Sequence, residues 1–193
     1  GVPTFGFTTN AMDTYVLGGN MVYREFLGRF CPNLENIPTS TEGNSLSVNL
    51  LGVTPLDFSI VGNIEAFRDY FKELGIEINC CMTMECTVEE ISNAHKADVN
   101  VVCSSLALDG ARVLQDKYGT PAVLGLPMGK TACCELEQLI RKSASDGKSR
   151  LLGSTDEITS IPPLEHAKSS FTLRDRAKGG IWIIGEAINA AGI

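Results

Sequence analysis

Four short segments of this sequence carry residues able to do chemistry. Cys103, Ser104 and Ser105 directly follow the apolar run "VNVV", Thr54 lies just past "NLLG", and Met128, Gly129 and Lys130 follow "AVLGLP". Met82-Thr83-Met84-Glu85-Cys86 adds more sulfur and hydroxyl. Thiolate and thioether sulfur are soft donors suited to iron-sulfur or copper chemistry, whereas glycine N–H groups and a lysine suit a phosphate-like anion. Each segment follows a strand-like run, where an open parallel sheet gathers its ligands.

Plainer readings compete with each. "GLPMGKT" misses the phosphate-loop spacing by one residue and follows the fourth strand instead of the first, so it reads as a polar helix start. Cys80, Cys81, Cys133 and Cys134 read as core or half-buried thiols, because free cysteine packs as a small hydrophobe. No C-x-x-C pair supports zinc or thioredoxin-type chemistry, and no G-x-S-x-G elbow supports a serine triad. His95 and His166 lie in polar helical surroundings and read as surface residues. Cys103 stays open between a strand-end thiol and a ligand-facing one.

The elements that must position these residues alternate between strand and helix. "LSVNLLG", "IEINCCM", "VNVVC" and "AVLGL" are short β-branched or aliphatic runs. Ile64, Phe67, Phe71 and Leu74 recur at helical spacing before Gly75, and Thr87 with Glu90 forms a capping box for a helix reaching about His95. Ser104 or Ser105 is expected to cap the helix that ends at Gly119. Thr131 to Ala144 forms another, the "SASDGKSRLLGSTDE" stretch reads as a loop, and Pro162-Pro163 opens a helix to about Ala177. Before them, residues 13–30 predict a helix starting near Gly19, followed by a linker to Ser45. The expected fold is α/β, an open, Rossmann-like parallel sheet of about four or five strands flanked by helices.

The bulk numbers set limits. The chain has 193 residues, a net charge of −7 and no basic cluster, which excludes general affinity for nucleic acid. No apolar run is long enough to span a membrane. Seven cysteines, two pairs of them adjacent, suit reduced thiols in a cytoplasmic setting. The start at Gly1 and the ending "IWIIGEAINAAGI" read as cuts from a longer polypeptide, with residues 1–45 the tail of a preceding domain plus linker, 46–180 the α/β domain, and 181–193 the start of another or an extra edge strand.

Taken in order, "VNLLG", "FRDYFKELGIEIN", "TVEEISNAHKADVNVV" and "LQDKYGTPAVLGLPMGKTACCELEQLIRK" resemble the large subunits of nitrogenase component 1 and their molybdenum-iron protein-like relatives. The resemblance spans roughly Val48 to Lys142 and corresponds to the family's middle domain. It implies one wall of a metallocluster or tetrapyrrole pocket, with Cys103, Ser104, Ser105, Thr54, Met128, Gly129 and Lys130 as cofactor-facing candidates. It also implies a sister component 1 subunit in a heterotetramer-like assembly and an ATP-dependent iron-sulfur reductase as partners. An iron-sulfur cluster or other metallocofactor is expected in the full-length complex, with neither cofactor nor turnover in this stretch alone. In the family's nitrogenase members a cluster-ligating cysteine occupies the position of Ser104, one residue after the thiol here. That offset turns a side chain to the other face of a strand, so Cys103 inherits the role only through a bulge. The alternative is a flavodoxin-like domain that binds a small anion or nucleotide without catalysis.

Overall fold

A computed structural model describes residues 13–33 and 45–161, with isolated positions 4, 6, 8, 9 and 35. The helix expected after Pro162 and the strand expected at 181–184 lie outside the described residues. Strands β1 (Ser47–Leu51), β2 (Glu77–Cys81), β3 (Val99–Val102), β4 (Ala122–Leu124), β5 (Ser149–Leu151) and β6 (Glu157–Ile158) form one sheet in the order β2-β1-β3-β4-β5-β6. The first five run parallel and β6 returns antiparallel along β5. Every residue of β3 and β4 is buried, as expected for central parallel strands covered on both faces.

Helices α2 (Asn63–Glu73) and α5 (Gly129–Asp146) cover one face, packing Ile64, Phe67, Phe71, Leu136 and Ile140 on Val48, Leu50, Val99, Val101 and Val123. Helices α1 (Tyr15–Phe30), α3 (Val88–Ser92) and α4 (Leu108–Tyr118) cover the other, where Tyr23, Leu27, Ile91, Ala111 and Leu114 meet Leu51, Val102 and Leu124. Gly75 ends α2 in the left-handed conformation at φ +66°, with Gly75 N donating to Lys72 O and Ile76 N to Phe71 O. That is a Schellman stop, and both Ile76 and Phe71 belong to the buried cluster beside it. The Thr87–Glu90 capping box also forms, though α3 ends at Ser92 and a 3-10 turn covers Ala94–Lys96.

Three expectations need correcting. The first helix begins at Tyr15, because Thr14 accepts from Leu17 N and so caps it; Gly19 lies inside, where its missing Cβ admits Leu106. The segment read as a loop holds the end of α5, all of β5 and the start of β6. Its strand was hidden by Arg150, which is buried because its guanidinium folds back onto Asp146 and the Ser143 hydroxyl. Ser104 makes no side-chain cap and Ala107, the residue before α4, has none to offer; Asn20 of α1 supplies one, its Oδ1 accepting from Asp109 N at 2.9 Å. No helix among the described residues is long and apolar enough to cross a membrane.

Candidate functional site at the sheet rim

The carboxyl ends of β1 to β5 open onto one edge. Ladder bonds carry past the strand ends there, with Cys103 N donating to Leu51 O (2.8 Å), Gly125 N to Val102 O (3.0 Å) and Leu152 N to Leu124 O (2.9 Å). At the β1–β3 junction the strand order reverses, the usual place for a ligand crevice. Here backbone fills it. A Cβ on Gly52, at φ +87°, would stand 2.8 Å from Ser104 N, so only glycine permits this approach. Beneath it the Tyr23 hydroxyl accepts from Gly52 N (2.9 Å) and donates to Met82 O (3.0 Å), tying three segments together.

The register of β3 decides which way Cys103 faces. The β1–β3 pairing runs without a bulge from Val48↔Val99 to Leu51↔Val102, so Cys103 continues the face of Val99 and Val101. Its thiol is 0% exposed in the apolar layer under α2 and α5, where burial pushes its pKa far up. Ser104 is extended and turns to the opposite face, against Gly52. Both Ser104 and Ser105 are buried.

The open space lies to one side of this junction. A cleft of about 620 Å³ runs between the start of α2 and the start of α5, lined by Asp57, Phe58, Phe67, Tyr70, Met128 and Cys133 among others. Met128 is the one predicted site residue among its lining. Gly129 and Lys130 follow it at the exposed start of α5, which has no side-chain cap. Thr54 is buried within the preceding turn, its hydroxyl bonded to Tyr15 and donating to Asp57 Oδ2. The Tyr70 hydroxyl bridges the floor to Cys133 O at 2.8 Å. The aromatic and thiol lining was missed because it comes from three separate segments. The only trace in the sequence was the position of Cys133 one turn into a helix that follows the fourth strand. Leu56, Ile60 and Val61, from the same turn as Asp57 and Phe58, are 78%, 73% and 80% exposed.

A profile of nitrogenase component 1 type oxidoreductases matches residues 2–150. The chain belongs to this family. It is 38% identical over 84 residues to a light-independent protochlorophyllide reductase component from Prosthecochloris aestuarii, covering 43% of this chain and 16% of that protein. It is 33% identical over 85 residues to the nitrogenase molybdenum-iron protein alpha chain of Methanothermobacter marburgensis, covering 44% and 17%. It is 32% identical over 77 residues to the nitrogenase iron-molybdenum cofactor biosynthesis protein NifE of Clostridium pasteurianum, covering 39% and 16%. The matches thus span less than a fifth of each of these relatives.

The donor set of this component 1 type chain discriminates between the groups such proteins could hold. Among the described residues no three His, Cys, Asp or Glu side chains are arranged to bind a metal ion. Cys103 is turned into the apolar layer, and Cys133 is the sole thiol in the cleft lining. The described residues therefore do not fit a cluster held by several thiolates. They do fit an apolar face: aromatic and thioether side chains, with Asp57, Asn63 and Tyr70 as polar points.

Proposed function

We propose that this chain is the middle domain of a component 1 type oxidoreductase subunit and forms one wall of a pocket for a tetrapyrrole or metallocluster-bound substrate. In that reading residues 46–180 are the middle domain, residues 1–45 continue from the preceding domain and 181–193 lead into the next. Electrons reach the substrate from an ATP-dependent iron-sulfur reductase, and a sister component 1 subunit completes the assembly. The observation that carries the reading is the apolar cleft at the carboxyl edge of the parallel sheet, flanked by exposed Leu56, Ile60 and Val61. Apolar side chains that exposed are expected to be covered in the working assembly.

The roles divide accordingly. Met128, Phe58 and Phe67 offer the apolar contact, and Gly129 and Lys130, outside the lining but next to Met128 at the exposed start of α5, add N–H groups and a cation. Thr54, Cys103, Ser104 and Ser105 shape the turns behind the wall without touching the ligand. The apolar lining favours a tetrapyrrole ring over a cluster as the group against this wall; thiolate ligands for any iron-sulfur cluster would come from elsewhere in the complex.

Anaerobic purification of the complete polypeptide with its sister subunit tests this, set beside the 193-residue chain purified alone. The expected result is iron and a visible chromophore in the complex and neither in the chain. A flavin or nucleotide carried stoichiometrically by the chain alone would replace this reading with the flavodoxin-like one.

A further inference from the structure

The seven cysteines are all free thiols, and Cys80 and Cys86 stand apart because their Sγ atoms are 3.4 Å from each other. Cys80 lies on β2 and is buried, whereas Cys86 is half-buried just before the Thr87 cap of α3. The turn between them is held in an unusual shape. Thr83 at φ +82° and Glu85 at φ +54° are non-glycine residues in the left-handed region, which folds Cys86 back over the strand. Several contacts fix that shape: Thr83 Oγ1 donates to Val53 O at 2.8 Å, the Tyr23 hydroxyl donates to Met82 O, and Arg68 pairs with Glu85 at 2.8 Å.

The two thiols are unequal. The hydrogen bond from Cys80 holds the Cys86 thiol below its ordinary pKa, against burial and the nearby Glu90 carboxylate, which push the other way. Cys80 is correspondingly raised by sharing its proton and by burial, and burial pushes the adjacent Cys81 up to about 12. Cys86 is thus the thiolate-forming, accessible partner and Cys80 the one held in reserve.

We propose that Cys80 and Cys86 form a peroxide-sensitive dithiol that closes to an intramolecular disulfide. The Cys86 thiolate attacks one oxygen of hydrogen peroxide, the O–O bond breaks, and the departing hydroxide takes up a proton to become water. Cys86 is left as a sulfenic acid. The Cys80 sulfur then attacks the Cys86 sulfur, the S–O bond breaks, and the oxygen leaves as water with the Cys80 proton. Two thiols lose two electrons in total, and one peroxide becomes two waters. The sulfurs need to approach only from 3.4 Å to a bond length of about 2.05 Å. The product would clamp the Met82–Glu85 turn at the sheet rim. This inference is independent of the proposed function.

The test is a thiol map of the reduced, folded chain after brief exposure to hydrogen peroxide, alkylation and peptide mass spectrometry. Two of the seven cysteines should escape alkylation, in a peptide linking Cys80 to Cys86 and lighter by two hydrogens, and dithiothreitol should restore both. Cys80→Ser should leave a sulfenic acid at Cys86 that dimedone traps, whereas Cys86→Ser should trap nothing at Cys80. Full alkylation of all seven, linkage within Cys80-Cys81 or Cys133-Cys134, or sulfinic acid at Cys86 beside alkylated Cys80 would each overturn it. The wild-type map alone decides the matter if either variant fails to fold.

Discussion

The backbone N–H of Gly52 donates to the buried hydroxyl of Tyr23 at 2.9 Å, and the same hydroxyl donates to Met82 O at 3.0 Å. One side chain of α1 thereby satisfies a donor after β1 and an acceptor after β2. Tyr23→Phe keeps the ring and leaves both groups buried without a partner. The expected loss is about 1–3 kcal/mol of unfolding free energy. Urea denaturation with an unchanged m-value checks it; an unchanged midpoint would mean that water replaces the hydroxyl.

Gly52 is the tighter constraint. Gly52→Ala meets both a φ of +87° and a Cβ 2.8 Å from Ser104 N, which is backbone and cannot swing aside. The expected cost is about 2–4 kcal/mol, larger than the ~1 kcal/mol of an ordinary left-handed Gly→Ala change. Gly147→Ala is the comparison, since its φ is +72° but a Cβ there would meet nothing within 4 Å. Thermal unfolding of the two variants should rank Gly52→Ala well below Gly147→Ala.

Arg150 makes the acid limb of stability predictable. Asp146 is held near 2, well below its ordinary 3.8, chiefly because Arg150 donates to it. A carboxylate lowered in the folded state contributes stability in full above its unfolded pKa, and that contribution is lost as pH falls through the folded one. Between about pH 4 and pH 2 the wild type should therefore lose stability more steeply than Asp146→Asn, with the two curves converging at the acid end. Chemical denaturation across that range checks the slope, and parallel curves would contradict the assignment.

What the sequence made legible follows from how local each signal is. Gly75, Thr87 and Glu90 act within one helical turn, so the stop of α2 and the capping box of α3 could be read directly. The face of Cys103 stayed open in the sequence, because alternation turns it inward only where β3 is unbulged, and that register comes from the pairing with β1. Strand β5 was not legible, because Ser149 and Arg150 look like loop residues until Arg150 finds Asp146 and Ser143 on α5. The cleft was equally hidden: Met128 came from the expected turn, but Phe67, Tyr70 and Cys133 face it only because α2 and α5 lie side by side. Asn20 as the cap of α4 depends on a contact between residues far apart in sequence, which no local window contains.

The exposed apolar turn gives a prediction about association. Replacing Ile60 and Val61 with Lys should change the stability of the chain by less than about 0.5 kcal/mol, as for other surface positions. The same pair of changes in the complete polypeptide should weaken assembly of the complex, read by sedimentation. Unaltered assembly would show that the turn stays in solvent there.

The central claim is that the cleft beside Met128 is a wall of the cofactor or substrate pocket. The most direct measurement is the chromophore and tetrapyrrole content of the anaerobically purified complex carrying Met128→Glu, compared with wild type at equal subunit stoichiometry. The account predicts that the cleft-facing carboxylate lowers occupancy by at least about tenfold while the circular dichroism and subunit ratio hold, a change of about 1.4 kcal/mol or more. Full occupancy in the variant would contradict it.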